Sequence, residues 1–202
     1  MDTSLFAPAN AAAYAGIGSR ETPSEILALM TTIARVLADR GFVLRSGGAQ
    51  GADSAFAAGA SEASSEIFLP WPGFAQLQGR RYAPGLRGNI LMESEQFLWR
   101  EAEGLARSFH PAWDRLSRGA RALQTRNTFQ VLGPDLVSRS RFVIAWTKDG
   151  NATGGTGQAI RIADHLNIPV FNLQRAADRA FVCAALGIDE VPTGSAQRPL
   201  GF

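Results

Sequence analysis

The residues whose types and spacing could do chemistry in this chain of 202 residues sit in three glycine-rich turns. The densest is Ser46-Gly47-Gly48-Ala49-Gln50-Gly51-Ala52-Asp53, set between the apolar run Gly41-Phe42-Val43-Leu44 and the helix-prone Ser54-Ala55-Phe56-Ala57-Ala58. A strand that ends in such a turn and opens a helix lets a ligand approach the main chain. The helix start adds unpaired N–H groups and a positive dipole end, and together these make a phosphate cradle. No Lys follows the glycines, so the loop is not of the Walker type, and the spacing of Gly47, Gly48 and Gly51 departs from the dinucleotide fingerprint. A second turn, Gly16-Ile17-Gly18-Ser19-Arg20, ends the apolar stretch at 11–17. A third, Thr153-Gly154-Gly155-Thr156-Gly157-Gln158, follows the apolar run 142–146. Each turn alone is equally consistent with a helix packing closely on a sheet.

The elements that position these turns follow from periodicity. Thr22-Pro23-Ser24-Glu25 has the form of a capping box, with Thr22 as the cap, and Ile26, Leu29, Met30, Ile33, Val36 and Leu37 recur at helical spacing to about Arg40. A strand at 42–44, a small-residue helix over about 52–63 and a strand at 66–69 follow. After an insert over about 70–125, with helices expected at 93–107 and 112–123, the alternation resumes. A strand at 142–146, a helix over 156–166, a strand at 168–173 and a last helix over 176–186 complete it. The fold class expected is α/β, a three-layer Rossmann-like doubly wound sheet, mainly parallel, with a helical insert and right-handed crossovers. In such sheets ligands bind at the carboxyl edge, so turns that are each ambiguous become one site by topology. One domain spanning 1–202 is expected, with a loose leader over 1–10 and a flexible tail over about 191–202.

Composition bounds the function class. With 46% hydrophobic and 19% charged residues the chain is ordinary globular material. The single cysteine, Cys183, excludes an internal disulfide, and two histidines, His110 and His165, do not make a zinc cluster. No metal and no cofactor is expected. There is no secretory signal and no membrane-length apolar run, so a cytoplasmic protein without a membrane partner is expected. The net charge is only +2, but between residues 80 and 141 eleven arginines stand against six acids. Such a run is a solvated helix face, a phosphate-facing rim or a subunit contact. The apolar content of the insert around 90–105 fits a subunit contact, and a homo-oligomer is expected.

Taken in order, Gly16 to Arg20, the loop from Ser46 to Asp53, the triplet Thr125-Arg126-Asn127 and the turn Gly154-Gly155-Thr156-Gly157 resemble the superfamily that joins DNA-processing protein A (DprA/Smf) to the LOG proteins. The likeness covers about residues 11–173 and is nearest to the DprA Rossmann domain, with no winged-helix segment expected after it. It implies a Rossmann-like fold that binds nucleotide-type ligands or single-stranded DNA. Ser46, Gly47, Gly51 and Asp53 match the DprA-type loop, and Arg126-Asn127 its Arg-Asn pair before the following strand. The LOG frame departs at one place: where it carries a Glu, this chain has Arg161. Cleavage of an N-glycosidic bond passes through a cationic sugar that a carboxylate should stabilise, so that catalysis would fall to Asp53.

Three functions follow. The first is a stand-alone nucleotide-binding protein, with Gly16, Gly18, Ser19, Arg20, Ser46, Gly47, Gly48, Gln50, Gly51, Thr153, Gly154, Gly155, Thr156, Gly157 and Gln158 around the phosphates. Arg126 and Asn127 would add donors to the ligand, and Asp53 would take ribose hydroxyls or orient Arg126. The second is a nucleotide N-glycosidase with Asp53 as the catalytic carboxylate. The third is a single-stranded DNA binder using the arginines of 80–141, with Trp71 and Trp113 as stacking candidates. The plain alternative for Asp53 is a helix N-terminal carboxylate, and for Arg126 a surface arginine.

Overall fold

A computed structural model describes residues 2–8, 10–83 and 85–189; the tail expected over 191–202 lies outside the described residues. Strands β1 (Ala13–Gly18), β2 (Val43–Ser46), β3 (Ser65–Leu69), β4 (Arg80–Arg81), β5 (Gly88–Leu91), β6 (Val143–Trp146) and β7 (Val170–Asn172) form one sheet in the order β4-β5-β3-β2-β1-β6-β7. Every pairing is parallel, with Ala13 opposite Val43 on one side of β1 and Ala15 opposite Val143 on the other. Parallel strands need cover on both faces, which is why β1, β2, β3 and β6 are near-continuous buried runs.

Helices α1 (Ser24–Asp39), α2 (Ala52–Gly59) and α6 (Ala176–Leu186) cover one face, closing a core around Tyr14, Leu44, Phe56, Phe142 and Phe171. Helices α4 (Arg118–Leu132) and α5 (Gly157–His165) cover the other with Ile17, Val131, Val143 and Ile162, and α3 (Gln96–Phe109) packs on α4. This is the expected three-layer α/β architecture. The Tyr14 hydroxyl is buried at the centre of the first core with no hydrogen-bond partner among the described residues. Tyr14→Phe removes that orphan and is expected to raise the stability by about 1 kcal/mol, read as a higher urea midpoint.

Several local expectations are corrected. The chain before β1 is not a loose leader: a 3-10 turn over Thr3–Phe6 drives Phe6 fully into the core, 4.7 Å from the Phe142 ring centroid. One aromatic anchor has no period, so the sequence pattern hides it. Thr22 does not cap α1; the cap position is Pro23, and the Thr22 hydroxyl donates to the Ser19 carbonyl instead. Helix α2 stops at Gly59 rather than near 63: Ala60 is extended, and Ser61 caps a separate 3-10 turn over Glu62–Ser64. The insert is not only helix and loop, since β4 and β5 add two strands to the sheet. Its second helix begins at Arg118, capped by Ser117, and runs on to Leu132.

Candidate functional site

The order of the strands reverses between β1 and β6: the chain winds outward through β2 and β3, then returns to β6 beside β1. The turns after β1, β2 and β6 therefore open at one carboxyl edge, where a crevice is expected in a doubly wound sheet. Contact distances confirm the convergence of the first two. A methyl on Gly51 (φ +83°) would lie 2.7 Å from the Arg20 Cα and 2.8 Å from the Ser19 carbonyl, and one on Gly18 would lie 2.6 Å from the Ala52 Cβ. The Ala52 amide donates to the Ser19 carbonyl at 3.4 Å, and the Ser19 amide to Trp146 of β6 at 3.2 Å.

Helix α4 joins the second turn to the third. Its residues Gln124, Thr125, Arg126, Asn127 and Thr128 are all buried although polar. Asn127 Nδ2 donates to the Gly155 carbonyl at 3.0 Å, and Arg126 Nη1 donates to Asp53 Oδ2 at 3.2 Å. The Arg-Asn pair thus lies in mid-helix, on the helix that precedes β6. Arg126 sits so close over the second turn that a Cβ on Gly47 would be 0.8 Å from its Nη1. Asp53, 4% exposed, also accepts from the Ala49 amide at 3.3 Å. Burial pushes the Asp53 carboxyl above its ordinary range, opposed by the Arg126 charge and the amides. Burial likewise lowers Arg126, opposed by Asp53.

The remaining candidates divide by exposure. Ser46 faces inward, its hydroxyl on the Gly16 carbonyl at 2.7 Å, and Gly16 itself is where Leu44 and Phe56 close over the strand. Gly47, Gly48 and Gly157 are buried; Arg20, Gln50, Thr153, Gly154 and Gly155 are exposed along the rim, with Gly18, Ser19, Gly51 and Thr156 between. Thr153 bonds Asp149 at 2.7 Å. Gln158, fully buried in the first turn of α5, leaves its Oε1 without a partner among the described residues. Arg161, standing in the frame of the LOG glutamate, is a loop anchor: it donates to the Ala152 carbonyl and the Phe109 carbonyl, both at 2.8 Å. Two residues of the site escaped the sequence reading. Leu77 reaches 2.7 Å from a notional Gly48 Cβ, and the Phe74 ring lies over Arg126 at 5.8 Å. Their signal was two apolar residues in a loop with no other reason for them.

The arginines of 80–141 do not form one stripe. Arg80 pairs with Glu62, Arg87 with Glu66 and Arg107 with Asp114. Arg118 is exposed at the head of α4, about two turns or 12 Å beyond Arg126, and Arg115 is exposed in the 3-10 turn before it. Trp113 is buried with Arg121 over its ring, and Trp71 is half-buried. Two hollows of about 400 and 380 Å3 lie elsewhere, one between α5 and β7, the other between α3 and α4; no turn glycine lines either. No helix among the described residues is long and apolar enough to cross a membrane.

No protein-family model matches the chain, and no curated protein matches it in sequence. Among solved structures it is similar to DNA processing protein A from Helicobacter pylori, studied for its single-stranded DNA binding mode. The TM-score is 0.54 at 20% identity, covering 92% of this chain and 84% of that one. The chain therefore has a DprA-like fold.

Proposed function

We propose that this protein binds a nucleotide or nucleotide-derived phosphate ligand at the carboxyl edge of the sheet. The observation that carries the reading is the convergence of the first two glycine turns at the strand-order reversal, with α4 tying the third to the second. The N-termini of α2 and α5 open there, and an orphaned acceptor on Gln158 lies beneath. Arg20 and Lys148 are exposed cations on that rim; Lys148 lies 3.9 Å from Glu21, whereas Arg20 takes part in no ion pair among the described residues. Titration calorimetry with nucleoside mono-, di- and triphosphates tests this. Arg20→Ala is expected to remove one charge-assisted contact and weaken binding by about 1.5–3 kcal/mol while leaving the melting temperature unchanged. Unchanged affinity would remove Arg20 from the site.

A second reading, single-stranded DNA, is favoured by the exposed Arg115 and Arg118 and by what the Helicobacter pylori neighbour binds. A short oligodeoxythymidylate that binds with a steep loss of affinity in salt would support it, since each phosphate contact releases a counterion; a one-nucleotide site gives a shallow slope. The N-glycosidase reading has least support. Asp53, its carboxylate, is buried and engaged with Arg126 and the Ala49 amide. Base release from any nucleotide, lost in Asp53→Asn, would reinstate it.

A further inference from the structure

Segment 71–77, between β3 and β4, covers the second glycine turn. Phe74 lies on the Arg126 guanidinium, and Leu77 lies on Gly48. Under this cover Arg126 is only 5% exposed, yet its Nε has no hydrogen-bond partner among the described residues. A cation with a donor to spare is thus shut away at the centre of the site. The backbone hydrogen bonds of the cover run within it, Phe74 N donating to Trp71 O at 3.3 Å, Gln76 N to Gly73 O and Leu77 N to Phe74 O at 3.0 Å, while the Phe74 and Leu77 side chains reach the edge of the first core. Trp71 stands edge-on to Phe74 at 5.1 Å.

The same segment holds its backbone in an unfavoured form. Gly73, Ala75 and Gln76 have φ of +74°, +51° and +64°. For Ala75 and Gln76, which carry side chains, the left-handed region disfavours this conformation by roughly five- to thirtyfold each. Gly73, Ala75 and Gln76 are exposed, and a methyl at Gly73 would meet nothing within 4 Å. Packing of Phe74 and Leu77 opposes that backbone cost and holds the segment closed.

We propose that segment 71–77 is a lid on the site. When closed, Phe74 occupies the face of Arg126 that an anionic group of the ligand would take, and ligand binding displaces it. The proposal rests on the reading that a phosphorylated ligand binds at the glycine turns. Four proteins test it, with inorganic pyrophosphate and a panel of nucleoside triphosphates as probes: the natural chain, Gly73→Ala, Phe74→Ala and the double variant Ala75→Gly/Gln76→Gly. Gly73→Ala forces a left-handed alanine on the closed form without touching a neighbour, and should tighten binding about fivefold or more. Phe74→Ala removes the competitor for the cation and should tighten it roughly two- to fivefold. The double variant relieves the closed form and should weaken binding about fivefold or more. Hydrogen exchange over 71–77 should move in parallel without any ligand, faster in the first two and slower in the third. Equal affinity and equal exchange in all four proteins overturn the lid and leave the site standing. No binding by any of the four overturns the reading of the site, and the lid with it.

Discussion

Gly47→Ala is expected to cost about 3–5 kcal/mol of stability, the scale of breaking a buried ion pair, and for a chain of this length to lower the melting temperature by roughly 10 °C. The new methyl would stand 0.8 Å from Arg126 Nη1 and 2.8 Å from Asp53 Oδ2, so the guanidinium must leave and the carboxylate stays behind, buried. The cost is steric and electrostatic, not conformational, because Gly47 is not among the glycines of positive φ. Gly154→Ala is the contrast: it has φ +61° and open space around the methyl, so only the backbone cost of about 1–2 kcal/mol is expected. The mechanism is checked by a double-mutant cycle. With Arg126 already replaced by Ala, Gly47→Ala should cost far less, and full additivity in thermal or urea unfolding would show that the two residues do not share one space.

Arg126→Met is expected to be as damaging near neutral pH, about 3–5 kcal/mol, and to become less so in acid. Asp53 then keeps only its amide donors, and burial raises its carboxyl further than in the natural chain. A carboxyl whose folded pKa lies above its unfolded one is ionised in both states at high pH, where the folded state bears the whole cost of the buried charge. As the pH falls through the raised pKa the folded state takes up a proton that the unfolded chain still lacks, so stability rises; below the unfolded pKa the cost is gone. The deficit of Arg126→Met should therefore narrow as the pH falls from neutral towards the ordinary carboxylate range, and adding Asp53→Asn should abolish that pH dependence. Urea unfolding at neutral pH and in mild acid decides. A constant deficit would mean that Arg126 acts through packing against Phe74 and Gly47 alone.

The pair behind both predictions shows where sequence reading stops. The sequence points to Asp53 and Arg126 separately, Asp53 as catalyst or ribose ligand and Arg126 as a donor to the ligand. They are 73 positions apart, and their mutual burial is a property of α4 lying across the second turn. The apolar period that predicts the second insert helix ends at 123, because Gln124 to Thr128 are polar, although all five are buried within α4. A buried polar run satisfied by distant partners has no local signature. Likewise β4 is two residues long and β5 only four, too short to show alternation; β3 offers an edge to β5, and β5 in turn offers one to β4.

What the sequence alone determined is the doubly wound frame. Short apolar runs along β1 and β6, at the start of β2 and at the end of β3, helical spacing along α1, and glycines at the strand ends are local patterns whose physics acts over a few residues, and they place three turns on one edge. What only the tertiary structure decided is the state of that edge. It shows which cation is paired and covered, that Ser46 and Gly16 face inward, that Arg161 pins a loop where a catalytic acid was sought, and that Phe74 lies over Arg126. Those facts depend on desolvation and on contacts between segments far apart in the chain, and no window of neighbouring residues contains them.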